Sequence, residues 1–144
     1  MKYHFKIHKA KDGFWADCVE LKGCMSQGDT LDELKTNCKE ALALYIEEPE
    51  DSKQIFPMPK KNLSKKRGIL AVELDPPVAL AFLLRQDRLR SGKNQTMIAK
   101  ELGFKNLYSY QILENSKKLN PELKTLVLLK KVFPKINFDE ILAA

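Results

Sequence analysis

Residues 12–34 read DGFWADCVELKGCMSQGDTLDEL, and three signals in this stretch decide the fold of the front of the chain. Lys11-Asp12-Gly13 reverses the chain, because Gly13 supplies a positive φ at no steric cost. Phe14 to Val19, rich in aromatic and apolar residues, is then a strand, and Gly23 to Ser26 is a short strand after it. Thr30 to Glu33 is a capping box, in which the threonine hydroxyl and the glutamate carboxylate satisfy backbone donors that a helix start leaves orphaned.

Upstream, Tyr3, Phe5 and Ile7 alternate with Lys2, His4, Lys6 and His8, the period-2 signature of a half-buried strand that pairs with Phe14 to Val19 as a hairpin. Downstream, Leu31, Leu34, Cys38, Ala41, Leu42 and Tyr45 recur every three or four residues, an apolar stripe that packs a helix on the sheet until Pro49 stops it. Residues 49–68 hold Pro49, Pro57 and Pro59 with Lys60, Lys61, Lys65, Lys66 and Arg67, and read as a basic connecting loop. Ile69 to Leu74 is apolar and β-compatible and returns to the sheet as a fourth strand, closed by Asp75-Pro76-Pro77. The first domain is therefore residues 1–75, a small sheet of three to four strands with one helix. Residues 76–144 form a second, all-α domain, so the fold class is α+β.

In that second domain Asp75 can cap a helix that opens with prolines and carries Val78, Leu80, Ala81, Leu84 and Leu89. Shorter helices are predicted over about Gln95 to Leu102, Leu107 to Asn115 and Pro121 to Phe133, followed by an apolar tail, Ile136, Phe138, Ile141 and Leu142.

Hydrophobic residues make up 44% and charged residues 31%, which suits a globular chain and not a disordered one. No apolar run approaches the roughly 18 residues of a spanning helix. Residues 1–9 show no secretory pattern, so a cytoplasmic location is expected. Cys18, Cys24 and Cys38 are an odd count without CxxC spacing, which predicts free buried thiols. Charge is segregated along the sequence. Residues 1–51 carry seven bases and eleven acids, residues 52–68 six bases and no acid, and residues 69–144 twelve bases and eight acids. A basic rear suits a polyanion and an acidic front suits a basic partner.

Gln95 to Gly103 has the logic of a helix followed by a turn: Ile98 and Leu102 face a core, Ala99 lets the next helix cross closely, and Gly103 ends the helix. Tyr110 and Leu113, three apart, bury the following helix, which closes with Glu114-Asn115. From Pro77 to Phe133 the chain resembles the phage-repressor-like, XRE-type helix-turn-helix: QxxIAxxLG, a turn, a helix ending in LEN, then NPELKTL. The turn Phe104-Lys105-Asn106 is one residue longer than that family's usual form, which shifts base-reading positions by up to one residue. A third helix lying in a major groove would present Asn106, Leu107, Tyr108, Ser109, Gln111 and Ile112. Gln95, Lys105, Lys117 and Lys118 would hold the phosphate backbone.

The order strand, strand, strand, helix, strand around Glu20-Leu21-Lys22-Gly23-Cys24, Ser26 to Thr30 and Glu40 to Tyr45 resembles the HicB antitoxins of HicA-HicB toxin-antitoxin systems. The resemblance implies a truncated ribonuclease-H-like front domain that neutralises a small basic RNA-cleaving toxin. It also implies a rear domain that represses the operon. Trp15, Asp17, Glu20 and Asp29, on the hairpin and loop, are the candidate toxin contacts; the competing reading of Trp15 is core, where sheet aromatics usually lie.

Enzymatic chemistry is not expected. Ribonuclease H catalysis needs carboxylates converging on metal ions from the first strand, and Tyr3-His4-Phe5-Lys6-Ile7 has none. His4 and His8 share a strand face, but no spacing typical of metal ligands joins them to a cysteine, so neither a metal nor a cofactor is expected. The alternative reading is a stand-alone helix-turn-helix regulator whose first domain senses a small ligand. The apolar tail and the symmetry of operators predict a homodimer or a higher homo-oligomer.

Overall fold

The computed structural model describes residues 1–47, 49 and 52–143. Its α+β chain divides into two compact units, Met1–Glu48 with Phe56–Leu74, and Pro49–Ile55 with Asp75–Ala144. The basic segment read as a single connecting loop is thus shared: residues 56–68 belong to the first unit and 49–55 to the second.

In the first unit, β1 (Lys2–Lys9), β2 (Phe14–Cys18), β3 (Met25–Gly28) and β4 (Ile69–Glu73) form one sheet in the order β3-β2-β1-β4, with α1 (Leu31–Ile46) packed on it. All three pairings are antiparallel, with Phe5 opposite Cys18 and Leu70, and Ala16 opposite Ser26. Alternation sends Tyr3, Phe5, Ala16, Cys18 and Val72 inward, against Leu34, Cys38, Leu42 and Ile46 of α1. Leu31, expected in the apolar stripe, is 52% exposed, because the buried row advances by four residues from Leu34 and leaves the first helical position outside it. The third strand starts two residues later than the sequence suggested. A tight turn, Cys24 N–H to Leu21 C=O at 3.1 Å, with Gly23 at φ 89°, uses up those residues first.

The capping box forms in altered shape: Thr30 Oγ1 accepts from Glu33 N at 3.2 Å, but the Glu33 carboxylate reaches one residue further back, to Asp29 N at 3.0 Å. Gly28 sits against α1 so closely that a Cβ there would lie 2.5 Å from Leu34 N. The three cysteines are free thiols in this core. Burial pushes Cys18 up to about 11, Cys24 to about 12 and Cys38 to about 11.

The second unit comprises α2 (Pro76–Arg90), α3 (Gln95–Glu101), α4 (Tyr108–Gln111), a 3₁₀ turn over Ile112–Glu114, α5 (Leu123–Val132) and α6 (Phe138–Leu142). Its core gathers Leu80, Phe82, Leu84, Ile98, Leu102, Tyr110, Leu113, Leu129 and Phe133. Asp75 stands at the N-cap of α2, but its side chain makes no cap hydrogen bond there. Three residues of the apolar tail, Ile136, Phe138 and Ile141, are buried, α6 packs on α2, and Leu142 remains exposed. Among the described residues no helix is long and apolar enough to cross a membrane.

Candidate partner-binding and nucleic-acid interfaces

The sheet has a second face, opposite α1. The register lines up His8, Trp15 and Gln27 in one row across it, and Lys6, Asp17 and Met25 in the next. Trp15 is 38% exposed and Met25 56%, and Val19 is also exposed. The Trp15 ring stacks on His8 with centroids 4.0 Å apart, and His8 Nε2 lies 2.6 Å from Asp17 Oδ1. Trp15 is therefore not core: alternation gives the inward positions to Ala16 and Cys18 and leaves the indole outside, propped by the imidazole. An aromatic with two stiff torsions, an exposed thioether and one carboxylate make a surface suited to a protein partner.

Of the other candidates for partner contact, Asp29 is exposed at the entry to α1. Glu20 is a correction. Its side chain has no exposure, because it accepts from His4 N at 2.9 Å and Lys60 N at 2.9 Å and lies 2.7 Å from His4 Nδ1. A carboxylate so enclosed is a structural anchor and is unavailable to a partner. His4 points away from Tyr3 and Phe5, yet is itself buried, with Nε2 2.9 Å from Ser64 Oγ. The loop thus closes over what the alternation alone would leave in water.

This folding back also changes the charge argument. With residues 56–74 included, the first unit holds twelve bases and ten acids, a net of +2, so the acidic front of the sequence does not become an acidic unit.

In the second unit α3 and α4 pack together around Ile98, Ala99 and Tyr110, and Gly103, at φ 76°, ends the turn of α3. Asn106 caps the next helix: its Oδ1 accepts from Ser109 N at 2.9 Å and Ser109 Oγ at 2.8 Å. Lys105, Asn106, Leu107 and Tyr108 are exposed, Tyr108 at 61%, and Lys118 Nζ stands 5.9 Å from the Tyr108 ring centre. Lys117 is exposed beside it. Ser109, Gln111 and Ile112 are half-buried. Gln95, also half-buried, is tied inward, its Nε2 donating to Glu114 Oε2 at 2.9 Å and its Oε1 accepting from Gln111 Nε2 at 3.3 Å. The face that reaches solvent most fully is thus Lys105 to Tyr108 with Lys117 and Lys118, and Gln95 and Gln111 form its floor.

The helix expected over Leu107 to Asn115 is instead one α-turn tightened into a 3₁₀ turn. The tightening carries Glu114 inward to a group that the sequence reading missed, Arg88 on α2. Arg88 Nε and Nη2 donate to Glu114 Oε1 and Oε2 at 2.6 and 3.0 Å, Arg88 Nη1 donates to Lys93 C=O at 3.2 Å, and Tyr110 Oη donates to Glu114 Oε1 at 2.6 Å. The signal in the sequence was an arginine four residues after Leu84, on the apolar face of α2.

The chain's front matches the family model described as the HicB_like antitoxin of bacterial toxin-antitoxin systems over residues 3–67. It is similar to a UPF0150 protein of Helicobacter pylori, 37% identical over 76 residues, 53% of this chain and 90% of the relative. A UPF0150 protein of Synechocystis is 45% identical over 65 residues, 44% of this chain and 80% of the relative. An uncharacterized 14.9 kDa protein of Haemophilus phage HP1, from the rep-hol intergenic region, is 40% identical over 63 residues, 43% of this chain and 45% of the relative. With the sheet, the helix and the Gly23-Cys24 turn in place, the chain belongs to the HicB-like antitoxin family of bacterial toxin-antitoxin systems.

Proposed function

We propose that this antitoxin is a non-enzymatic cytoplasmic protein that neutralises a small RNA-cleaving toxin with its first unit and represses its own operon with its second. Family membership over residues 3–67 carries the first half of the reading. The toxin is proposed to sit on the sheet face bearing Trp15, Asp17 and Met25, with Asp29 at its rim. Net charge gives no support to this capture, so the affinity is assigned to local contacts.

The second unit is proposed to be a helix-turn-helix that lays α4 in a major groove. Asn106, Leu107 and Tyr108 would reach the bases, and Ser109, Gln111 and Ile112 would line the same helix. Lys105, Lys117 and Lys118 would hold phosphates, with Gln95 buttressing the helix. A homodimer would match a two-fold operator.

Titration of the purified chain with the small protein encoded beside it tests the capture. Nanomolar binding is expected, with Trp15→Ala losing at least about thirtyfold, as a hot-spot aromatic does. Tight binding indifferent to Trp15→Ala and Met25→Ala would remove the proposed face. For repression, duplex from upstream of the gene should bind in preference to a scrambled duplex, and joint replacement of Asn106, Tyr108 and Gln111 by alanine should abolish that preference. Duplex affinity that depends on a small ligand, with no protein partner, would favour a stand-alone sensor-regulator.

A further inference from the structure

The segment from Phe56 to Gly68 has the composition of a flexible linker, but the fold holds it at four points. Tyr3 Oη donates to Pro57 C=O at 2.8 Å, Lys60 N donates to Glu20 Oε2 at 2.9 Å, Ser64 Oγ lies 2.9 Å from His4 Nε2, and Ile7 N donates to Gly68 C=O at 3.0 Å. Two of these anchors are a glutamate and a histidine almost without exposure, an arrangement that desolvates a carboxylate and needs every bond to offset the loss. Between and beyond the anchors Lys60, Lys61, Lys65, Lys66 and Arg67 are all exposed, and residues 52–68 contain no acid to neutralise them. A mere tether between two units would need neither the buried anchors nor this one-signed charge.

We infer that the anchored loop Lys60–Arg67 is a preformed binding surface for the phosphate backbone of duplex DNA, independent of sequence and additional to the base-reading helix. The inference rests on the DNA-binding reading above. Five cations fixed on one short segment lose less freedom on meeting a row of phosphates than cations on a free chain, and each that displaces a condensed counterion adds salt-dependent affinity.

The test is the salt dependence of binding of the full chain to its upstream duplex and to a scrambled duplex. Lys60→Gln, Lys61→Gln, Lys65→Gln and Lys66→Gln together should flatten the slope of log K against log salt by about 0.9 for each phosphate left without its cation, so by about 2 to 4. Affinity for both duplexes should fall by the same factor, because the phosphate backbone carries no sequence information. A control with Lys9, Lys11, Lys22 and Lys35 changed to glutamine removes equal charge from exposed positions of the same unit and should leave the slope almost unchanged. An unchanged slope in the loop variant, an equal change in the control, or a loop variant that loses affinity for single-stranded RNA but not for duplex overturns the inference while the helix-turn-helix reading stands. Loss of upstream preference in the Asn106, Tyr108 and Gln111 variant, with the loop's salt slope retained, supports both. Failure of the unaltered chain to bind any duplex removes both.

Discussion

Arg88 and Glu114, 26 positions apart in sequence, meet in a two-bonded pair at 2.6 and 3.0 Å with side chains only 7% and 5% exposed. Burial by itself lowers the Arg88 pKa, and the hydrogen bonds and charge of Glu114 more than offset it, so the guanidinium sits above its ordinary value. Tyr110, donating to the same carboxylate, is driven well above the ordinary tyrosine range by burial and then by the Glu114 charge. One carboxylate thus ties α2, α3 through Gln95, and α4 into a single arrangement.

Removing one partner of that pair strands the other. Glu114→Ala is expected to destabilise the chain by about 3–5 kcal/mol. The double variant Arg88→Met, Glu114→Gln removes both charges, leaves Tyr110 an acceptor, and should lose less than either single charge deletion. Urea unfolding measures the difference; a double variant as unstable as Glu114→Ala would mean that geometry, not the stranded charge, sets the loss.

Glu20 holds the basic loop to the sheet. Glu20→Ala leaves the Lys60 and His4 donors without their acceptor, about 1–3 kcal/mol for each group. Trypsin should then cut between Lys60 and Arg67 at least about tenfold faster, while cleavage within α1 at Lys35 and Lys39 stays slow. Acceleration at both sites, followed by mass spectrometry of the fragments, would show global unfolding instead of a released loop.

Gly28 is the point where β3 touches α1. A Cβ there meets Leu34 N at 2.5 Å and Leu34 Cα at 2.9 Å, both backbone atoms that cannot swing away. Gly28→Ala is expected to lower stability by about 1–3 kcal/mol, as overpacking does. The neighbouring exposed Gln27→Ala should stay within about 0.5 kcal/mol in the same denaturation series.

The thiols impose a pH dependence with a definite sign. Their folded values, about 11 for Cys18 and Cys38 and about 12 for Cys24, lie above the ordinary 9.0, so folding favours the protonated form. This contribution is fully present below pH 9 and declines as the pH climbs toward 11–12, by up to about 1.4 kcal/mol per pH unit per thiol. Melting temperatures from pH 8 to 11 should fall less steeply for Cys38→Ala than for the unaltered chain; parallel curves would refute the assignment.

Much of the fold was legible because it rests on local pattern. The alternation of Tyr3, Phe5 and Ile7 and the Leu34, Cys38, Leu42 row place side chains by period, and the Asp12-Gly13 reversal and the Thr30 cap act through a positive φ and one local hydrogen bond. In the rear unit Ile98, Ala99, Tyr110 and Leu113 are buried as their spacing implied. Periodicity alone could not tell that Trp15 lies on the outer face, stacked on His8, since β-alternation leaves open which face is covered until α1 has docked.

The sequence by itself determined the order of strands and helices and most of the turns, because propensity, caps and hydrophobic period act over a few neighbouring residues, while the start of β3 and the tightening after α4 were set by the tertiary structure. Only the tertiary structure decided the fate of the polar groups. Glu20 became an anchor and not a partner-binding residue, Arg88 found Glu114, and the basic loop folded back onto the acidic front and erased its net negative charge. Those outcomes depend on burial and on partners as much as 60 residues away in the chain, as Ser64 is from His4, and no local pattern encodes a desolvation loss or the group that offsets it.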